Sequence, residues 1–374
     1  MEILLYTSAI ISGILLKKSK IISAYIMLVM VVLGAFRSQC ADINNYFIEY
    51  QWVHSGEITQ SNTRYLGFYL LQKVCAVQDM NFVQYQVVVF SISALLMFVA
   101  AKKMTNNVNF LLAMYLIYPF GIDAIQIKSL LADSISLVAI SMCLKRNESV
   151  NDAKQKNIIS DKRELIFSLL LMVIAITIHF SLSLILLMAL LYYFSTSSNI
   201  GKRVWIGTVV IGAVVYAELL PKILNMIFKI FPVFEIGYIS VWLQRKVDFG
   251  ILVIIVEIGL TVITSYFSQK IINREYNSEK IKCASKNSAT FVTTMWMLVP
   301  FCMLDITFNR TFRIYIFVVY AMIANLINGK IDKKGEKILC FILFFITIAM
   351  MFRIDIYAVY DSTLGALLNF NQLL

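Results

Sequence analysis

Two histidines, four prolines and six scattered cysteines are few for a chain of 374 residues, and each shortage excludes something. With so little His and no Cys pair at ligand spacing, neither a zinc centre nor any other metal or cofactor site is expected. Cys40 and Cys75 fall in one stretch between apolar runs, where a disulfide and two unpaired thiols are both open readings. The scarcity of Pro and Gly, with no low-complexity tract, leaves no interdomain linker, so residues 1–374 read as a single domain. Charge is thin as well: 15% of residues are Asp, Glu, Lys or Arg, against about 25% in soluble domains. Strict polar/apolar alternation is missing, which removes a membrane β-barrel.

What the chain does have is continuous apolar sequence, with 60% of its residues hydrophobic. In hydrocarbon every backbone polar group must be paired within its own segment, so such runs become helices. The expected fold is an all-α integral membrane protein, a polytopic bundle of about 12 transmembrane helices at about 20 apolar residues each, fewer where ends snorkel. The runs lie near 3–16, 21–36, 82–101, 108–120, 125–144, 165–178, 180–194, 204–220, 250–268, 289–304, 314–328 and 338–352. Residues 165–194 are too long for one span and too short for two complete ones; they are read as a hairpin about His179. The first run has Glu2 before it and Lys17, Lys18 and Lys20 after it, the reverse of a cleaved signal peptide, and is read as a retained span.

Lys and Arg collect on alternate loops: the six segments 17–20, 102–107, 145–164, 195–203, 269–288 and 329–337 hold 22 of the 33. By the positive-inside rule these face the cytoplasm and both termini lie outside it. The net charge of +11 is then membrane anchoring and calls for no nucleic acid. The longest outer segments are 37–81 and 221–249.

Charges near hydrocarbon need a reason, since each costs about 2.5–3.5 kcal/mol at mid-helix on insertion scales. Arg37 directly follows the second run, as an interfacial anchor or a ligand cation. Gln126, Ser129, Asp133 and Ser136 draw a polar stripe along one helix face, for helix-to-helix hydrogen bonding or for function. Lys128 beside it can snorkel or meet an anion. Arg310 and Arg313 share a helical face, suited to headgroups or to phosphate oxygens. His179 offers the side chain best suited to base work near neutrality, whereas His54 lies in a polar loop.

In their order these pieces resemble the EpsG-like branch of the Wzy-type bacterial polysaccharide polymerases, the enzymes of O-antigen, capsule and exopolysaccharide assembly. Phe36-Arg37-Ser38 followed by Ala41-Asp42 and Tyr46 is similar to the family's Arg, Asp and Tyr after an early span. Gly67-Phe68 with the residues to Lys73 looks like its Gly-Phe helix start. Ile127-Lys128-Ser129-Leu130-Leu131-Ala132 resembles Ile-Arg-Gln-x-Leu-Ala, with Lys for Arg and Ser for Gln, and His179-Phe180-Ser181 resembles a His-aromatic-Ser turn. Asn309-Arg310 with Tyr315 adds a fifth match. Tyr65 stands where the family often has Glu, so no carboxylate role carries over there.

The resemblance implies transfer of an undecaprenyl-pyrophosphate-linked glycan onto a lipid-linked oligosaccharide repeat unit, at the outer face of the bacterial cytoplasmic membrane. Membrane lipids, a chain-length regulator and a flippase of the same pathway would be its partners. On this reading Arg310, helped by Arg37, Arg313 and Lys128, holds pyrophosphate, and His179 is base or acceptor-orienting group. Asp42 is a second candidate base; Tyr46, Trp52 and Tyr238 can stack on sugars, and Asp133 belongs to the substrate-binding set. The competing readings are a flippase for the lipid-linked unit, or another outer-face glycosyltransferase or ligase.

Overall fold

The computed structural model describes residues 1–16, 18–38, 40–57, 64–149, 158–194, 200–216, 259, 262, 264–273, 279–302, 310–327 and 364–368. Among these the chain is helical, with no strand. The expected outer loop 221–249 and span 338–352 lie outside the described residues, as does most of the span at 250–268.

Helix α1 (Glu2–Leu15) and α2 (Lys20–Ala35) form the first hairpin. Then come α3 (Ala41–His54), α4 (Leu66–Val77), α5 (Phe82–Met104), α6 (Val108–Ile117), α7 (Phe120–Ile125) and α8 (Ile127–Ser149). They are followed by α9 (Ile158–Ile178), α10 (Leu182–Phe194) and α11 (Ile200–Tyr216), a helical segment at 264–272, and α12 (Glu279–Thr293). A 3-10 turn (Thr294–Leu298), α13 (Val299–Cys302), α14 (Phe312–Ile327) and α15 (Leu364–Leu367) complete the order.

Helices α8 and α14 form the centre, where apolar side chains and the polar stripe of α8 are enclosed alike: 94% of the 127–144 window is buried, and so is every α14 residue from Phe312 to Leu326. Helices α5, α9, α10 and α12 pack around α8. The outer helix α5 is the opposite case, with 44% of its window buried, so it turns one face in and one out. Among the described residues, α5 and the 127–144 part of α8 are long and apolar enough to cross a bilayer; α1, α2, α4, α6, α10 and α14 are shorter apolar helices. Small residues set the close approaches. A Cβ on Gly13 would stand 2.7 Å from that of Ala113, the kind of contact that substitutes for a hydrophobic drive between helices in lipid.

Four asparagines tie one end of the bundle. Asn109 donates to Leu16 O and Ser19 O (2.5 and 2.9 Å) and accepts from Ser23 Oγ, closing the α1–α2 turn. Asn107 donates to Ala324 O at 2.8 Å and Asn325 returns a bond to Met104 O at 3.0 Å, while Asn287 reaches Leu144 O at 3.0 Å. This end carries the Lys-rich α1–α2 and α5–α6 turns.

The segment 37–81, expected as a loop, is largely the two helices α3 and α4, and both lie across the opposite end of the bundle. Tyr50 of α3 bonds Met80 O at 2.7 Å and stacks on Tyr85 at the start of α5 (4.7 Å). At the other end of α4, a Cβ on Gly67 would meet Thr177 Oγ1 at 2.4 Å, so α4 begins flush against the last turn of α9. The two helices thus roof the end away from the asparagines. Cys40 and Cys75 are both free thiols.

Two further expectations are corrected. The span read at 289–304 is not one helix: α12 starts at Glu279, inside the segment read as a cytoplasmic loop at 269–288, and gives way to 3-10 geometry after Thr293. Pro300 is the cause, since its missing N–H and its ring are incompatible with a helix running through from residue 296. The loop read at 145–164 is shortened by α8 running to Ser149 and α9 starting at Ile158. Between α9 and α10 the helix does break at His179, where Leu182 N bonds His179 O at 3.2 Å, and the two helices pack on each other.

Candidate functional site

The roof brings α3 over the first turn of α8. Lys128 Nζ lies 2.8 and 3.0 Å from the two carboxylate oxygens of Glu49, and both side chains are buried. The same ammonium stands 4.6 Å from the Tyr65 ring centre, 5.1 Å from Phe68 and 5.5 Å from Tyr46. Three rings and a carboxylate therefore hold one cation, with quadrupole attraction adding to the ion pair. Lys128 thus points into the protein, toward a carboxylate of the chain itself.

His179 occupies the break between α9 and α10, beside Tyr65. Its ring stacks on Tyr65 (centroids 6.0 Å, interplanar 23°), and Nδ1 is 2.6 Å from Ser181 Oγ. Burial, then the nearby charges of Arg310, Lys128, Arg313 and Arg64, pushes the imidazole down to about 3. The ring is therefore uncharged near neutrality, and an anion bound among these cations would offset them and raise its basicity.

The cations divide by what they already hold. Arg313, buried, donates from Nη1 to Asp123 Oδ1 (2.5 Å) and Gln126 Oε1 (2.9 Å), and Tyr115 donates to the other Asp123 oxygen at 2.6 Å. It is thus a buried cross-link between α14, α7 and the start of α8. Arg37, also buried, donates Nη1 to Gly34 O and lies 5.3 Å from the Phe90 ring centre, while its Nε and Nη2 have no partner among the described residues. Burial lowers its pKa to about 10, with Cys40 and Tyr46 opposing that shift. Arg310 makes no ion pair among the described residues. Burial and Arg313 lower its pKa, against the opposing influence of Tyr46, Asp42 and Asp133.

Tyr46 is the hub of this arrangement. It is half-buried, its phenol is pushed up by burial, and Arg310, Asp42, Glu49 and Tyr65 all lie within electrostatic reach of it. Asp42 sits in the first turn of α3, half-buried and facing the same group of charges. The α8 stripe is buried throughout. Gln126 is taken by Arg313, and Ser129 Oγ, Asp133 Oδ2 and Ser136 Oγ have no partner among the described residues. Trp52 is exposed on α3. Tyr238 and Glu257 lie outside the described residues.

His179, Lys128, Tyr46, Arg310, Asp42 and Arg37, drawn from α2 to α14, are therefore gathered at one end. Sequence reading missed Glu49, Asp123, Arg64 and Tyr65. Tyr65 was noticed only for not being Glu. Glu49 had one available signal: with Tyr46 and Val53 it falls at spacings of three and four on the inward face of α3. Among the described residues no three His, Cys, Asp or Glu side chains meet as a metal site, and Glu49 and Asp123 each hold a cation.

A sequence profile described as the EpsG family matches residues 20–150 and 156–367. No curated protein and no solved structure matches the chain.

Proposed function

The chain belongs to the EpsG family, a family of polysaccharide-polymerase-type membrane proteins, and from that premise we propose that it polymerises lipid-linked oligosaccharide repeat units at the outer face of the bacterial cytoplasmic membrane. The donor is a glycan on undecaprenyl pyrophosphate and the acceptor a hydroxyl of a new lipid-linked unit. The roof end is the outer one on this reading, with the asparagine-tied, Lys-rich end in the cytoplasm and both termini outside.

What supports the proposal is the grouping of His179 with Tyr65 and Lys128: the imidazole ring stacks on Tyr65 at 6.0 Å, and the Lys128 ammonium lies 4.6 Å from the centre of that ring. With Nδ1 engaged by Ser181, Nε2 takes the proton of the acceptor hydroxyl. The freed oxygen bonds to the anomeric carbon of the donor as that carbon's bond to the pyrophosphate breaks. The leaving diphosphate keeps the electron pair and meets Arg310, which makes no ion pair among the described residues, with Arg37 as a second cation. Fixed cations stabilise charge that develops only as the bond breaks, which is where electrostatic catalysis acts most strongly. Lys128, held by Glu49 and three rings, adds positive potential; Arg313 fixes the start of α14 and so the position of Arg310. Asp42 and Tyr46 orient the sugar or Arg310.

In cells, His179→Ala and Arg310→Ala should each abolish long glycan chains, at unchanged protein level, while single repeat units still reach the surface acceptor. Long chains in both variants would contradict the proposal. Loss of single units as well, in cells lacking the protein, would favour a flippase.

A further inference from the structure

Beneath the roof lies a second group of side chains that the chemistry above does not use. Gln72 is fully buried on α4, between Phe68 and Cys75 on that helix's inward face, and neither atom of its amide has a hydrogen-bond partner among the described residues. On α5, Tyr85, whose ring meets Phe68, is fully buried with its hydroxyl unpartnered, and Gln86, the next residue, is 3% exposed with Nε2 unpartnered. Phe68 joins the two sides, its ring 6.0 Å from Tyr85 in an edge contact and 6.1 Å from Tyr46. Cys75, one turn past Gln72, lies within electrostatic reach of Tyr85, as do Glu49 and Tyr46.

Four polar atoms of three buried residues left without partners are costly, because each forgoes its water without a replacement. They offer donors and acceptors together and carry no charge. Beside them stand aromatic faces. Neutral, two-way hydrogen bonding next to flat apolar rings matches a pyranose, whose hydroxyls both donate and accept and whose ring C–H face is apolar. The group is also continuous with the cation cluster, since Phe68 and Tyr46 are the rings 5.1 and 5.5 Å from Lys128.

We propose that Gln72, Tyr85 and Gln86, with the rings of Phe68 and Tyr46, form the subsite for the sugar bonded directly to the donor's diphosphate, entered when α3 and α4 lift from α5. The inference rests on the function proposed above and adds where the first sugar sits.

The test compares two ligands on the full-length protein in nanodiscs: sugar-free polyprenyl diphosphate, and the lipid-linked repeat unit extracted from a strain lacking this protein. Gln72→Leu and Tyr85→Phe remove the polar atoms at nearly constant volume. Each is expected to leave polyprenyl diphosphate binding unchanged, to weaken binding of the sugar-bearing lipid roughly tenfold, and to keep or raise thermal stability. Unchanged affinity for the sugar-bearing lipid in both variants overturns the subsite, and so does equal weakening for the two ligands. Arg310→Ala is the separate arm: it should weaken both ligands, and if it weakens neither, the diphosphate reading itself fails and takes the subsite with it.

Discussion

Tyr65 lies between a base and a cation: its ring stacks on His179 at 6.0 Å and has the Lys128 ammonium 4.6 Å from its centre. One aromatic side chain at the start of α4 thereby couples the α9–α10 break to the first turn of α8. Tyr65→Ala should free both neighbours, lowering polymerisation about tenfold or more, whereas Tyr65→Phe keeps the ring and should keep most of the activity. Glycan length distributions of the two variants decide this.

The pH dependence follows from the same group. The His179 imidazole is held down near 3 by burial and by four cations, so in the free protein it is neutral throughout the neutral range. Base function is lost only as pH falls through that lowered value, so kcat/KM should show no acidic limb from His179 between about pH 5 and about pH 8. A bound diphosphate reverses part of the shift, and the limb in kcat should lie higher than that in kcat/KM. Lys128→Met removes one opposing charge and should move both limbs upward. A limb in kcat/KM near the ordinary imidazole value would contradict this electrostatic account.

Arg313 and Arg310 should fail differently. Arg313→Ala strands Asp123 in a buried site, a loss of about 3–5 kcal/mol, visible as reduced membrane level and a lowered Tm in detergent. Replacing both partners, Arg313→Met with Asp123→Leu, should recover much of the protein level. Arg310→Ala should leave level and Tm near wild type and reduce turnover by about 10²–10³-fold, with partial recovery in Arg310→Lys.

Gly67 tests the seating of the roof. A Cβ there would meet Thr177 Oγ1 at 2.4 Å and Ile178 Cγ1 at 2.9 Å, one residue short of His179, while a Cβ on Gly201 would meet nothing within 4 Å. Gly67→Ala should therefore cost activity by displacing α4 from the His179 turn, and adding Thr177→Ala should restore part of it. Gly201→Ala should match wild type in the same assay.

The membrane class and the helix break at His179 were legible because continuous apolar runs and a polar interruption are local features. The roof was not. Helix α3 is rich in Asn, Glu and Gln, and its inward face of Ile43, Tyr46, Glu49, Tyr50 and Val53 becomes apparent only once α4 and α5 lie beneath it. The partner of Arg313 is 190 residues away, a distance that no spacing rule spans. Pro300 was in plain view inside a run read as one span, and its effect on the helix is the kind of signal that sequence alone supplies.

The most direct measurement of the central claim is turnover by the purified protein in proteoliposomes loaded with the lipid-linked repeat unit, following glycan length and released polyprenyl diphosphate together. The account expects wild type to release one polyprenyl diphosphate for each new glycosidic bond, and His179→Ala and Arg310→Ala to do neither. Chain growth at the wild-type rate in either variant would contradict it.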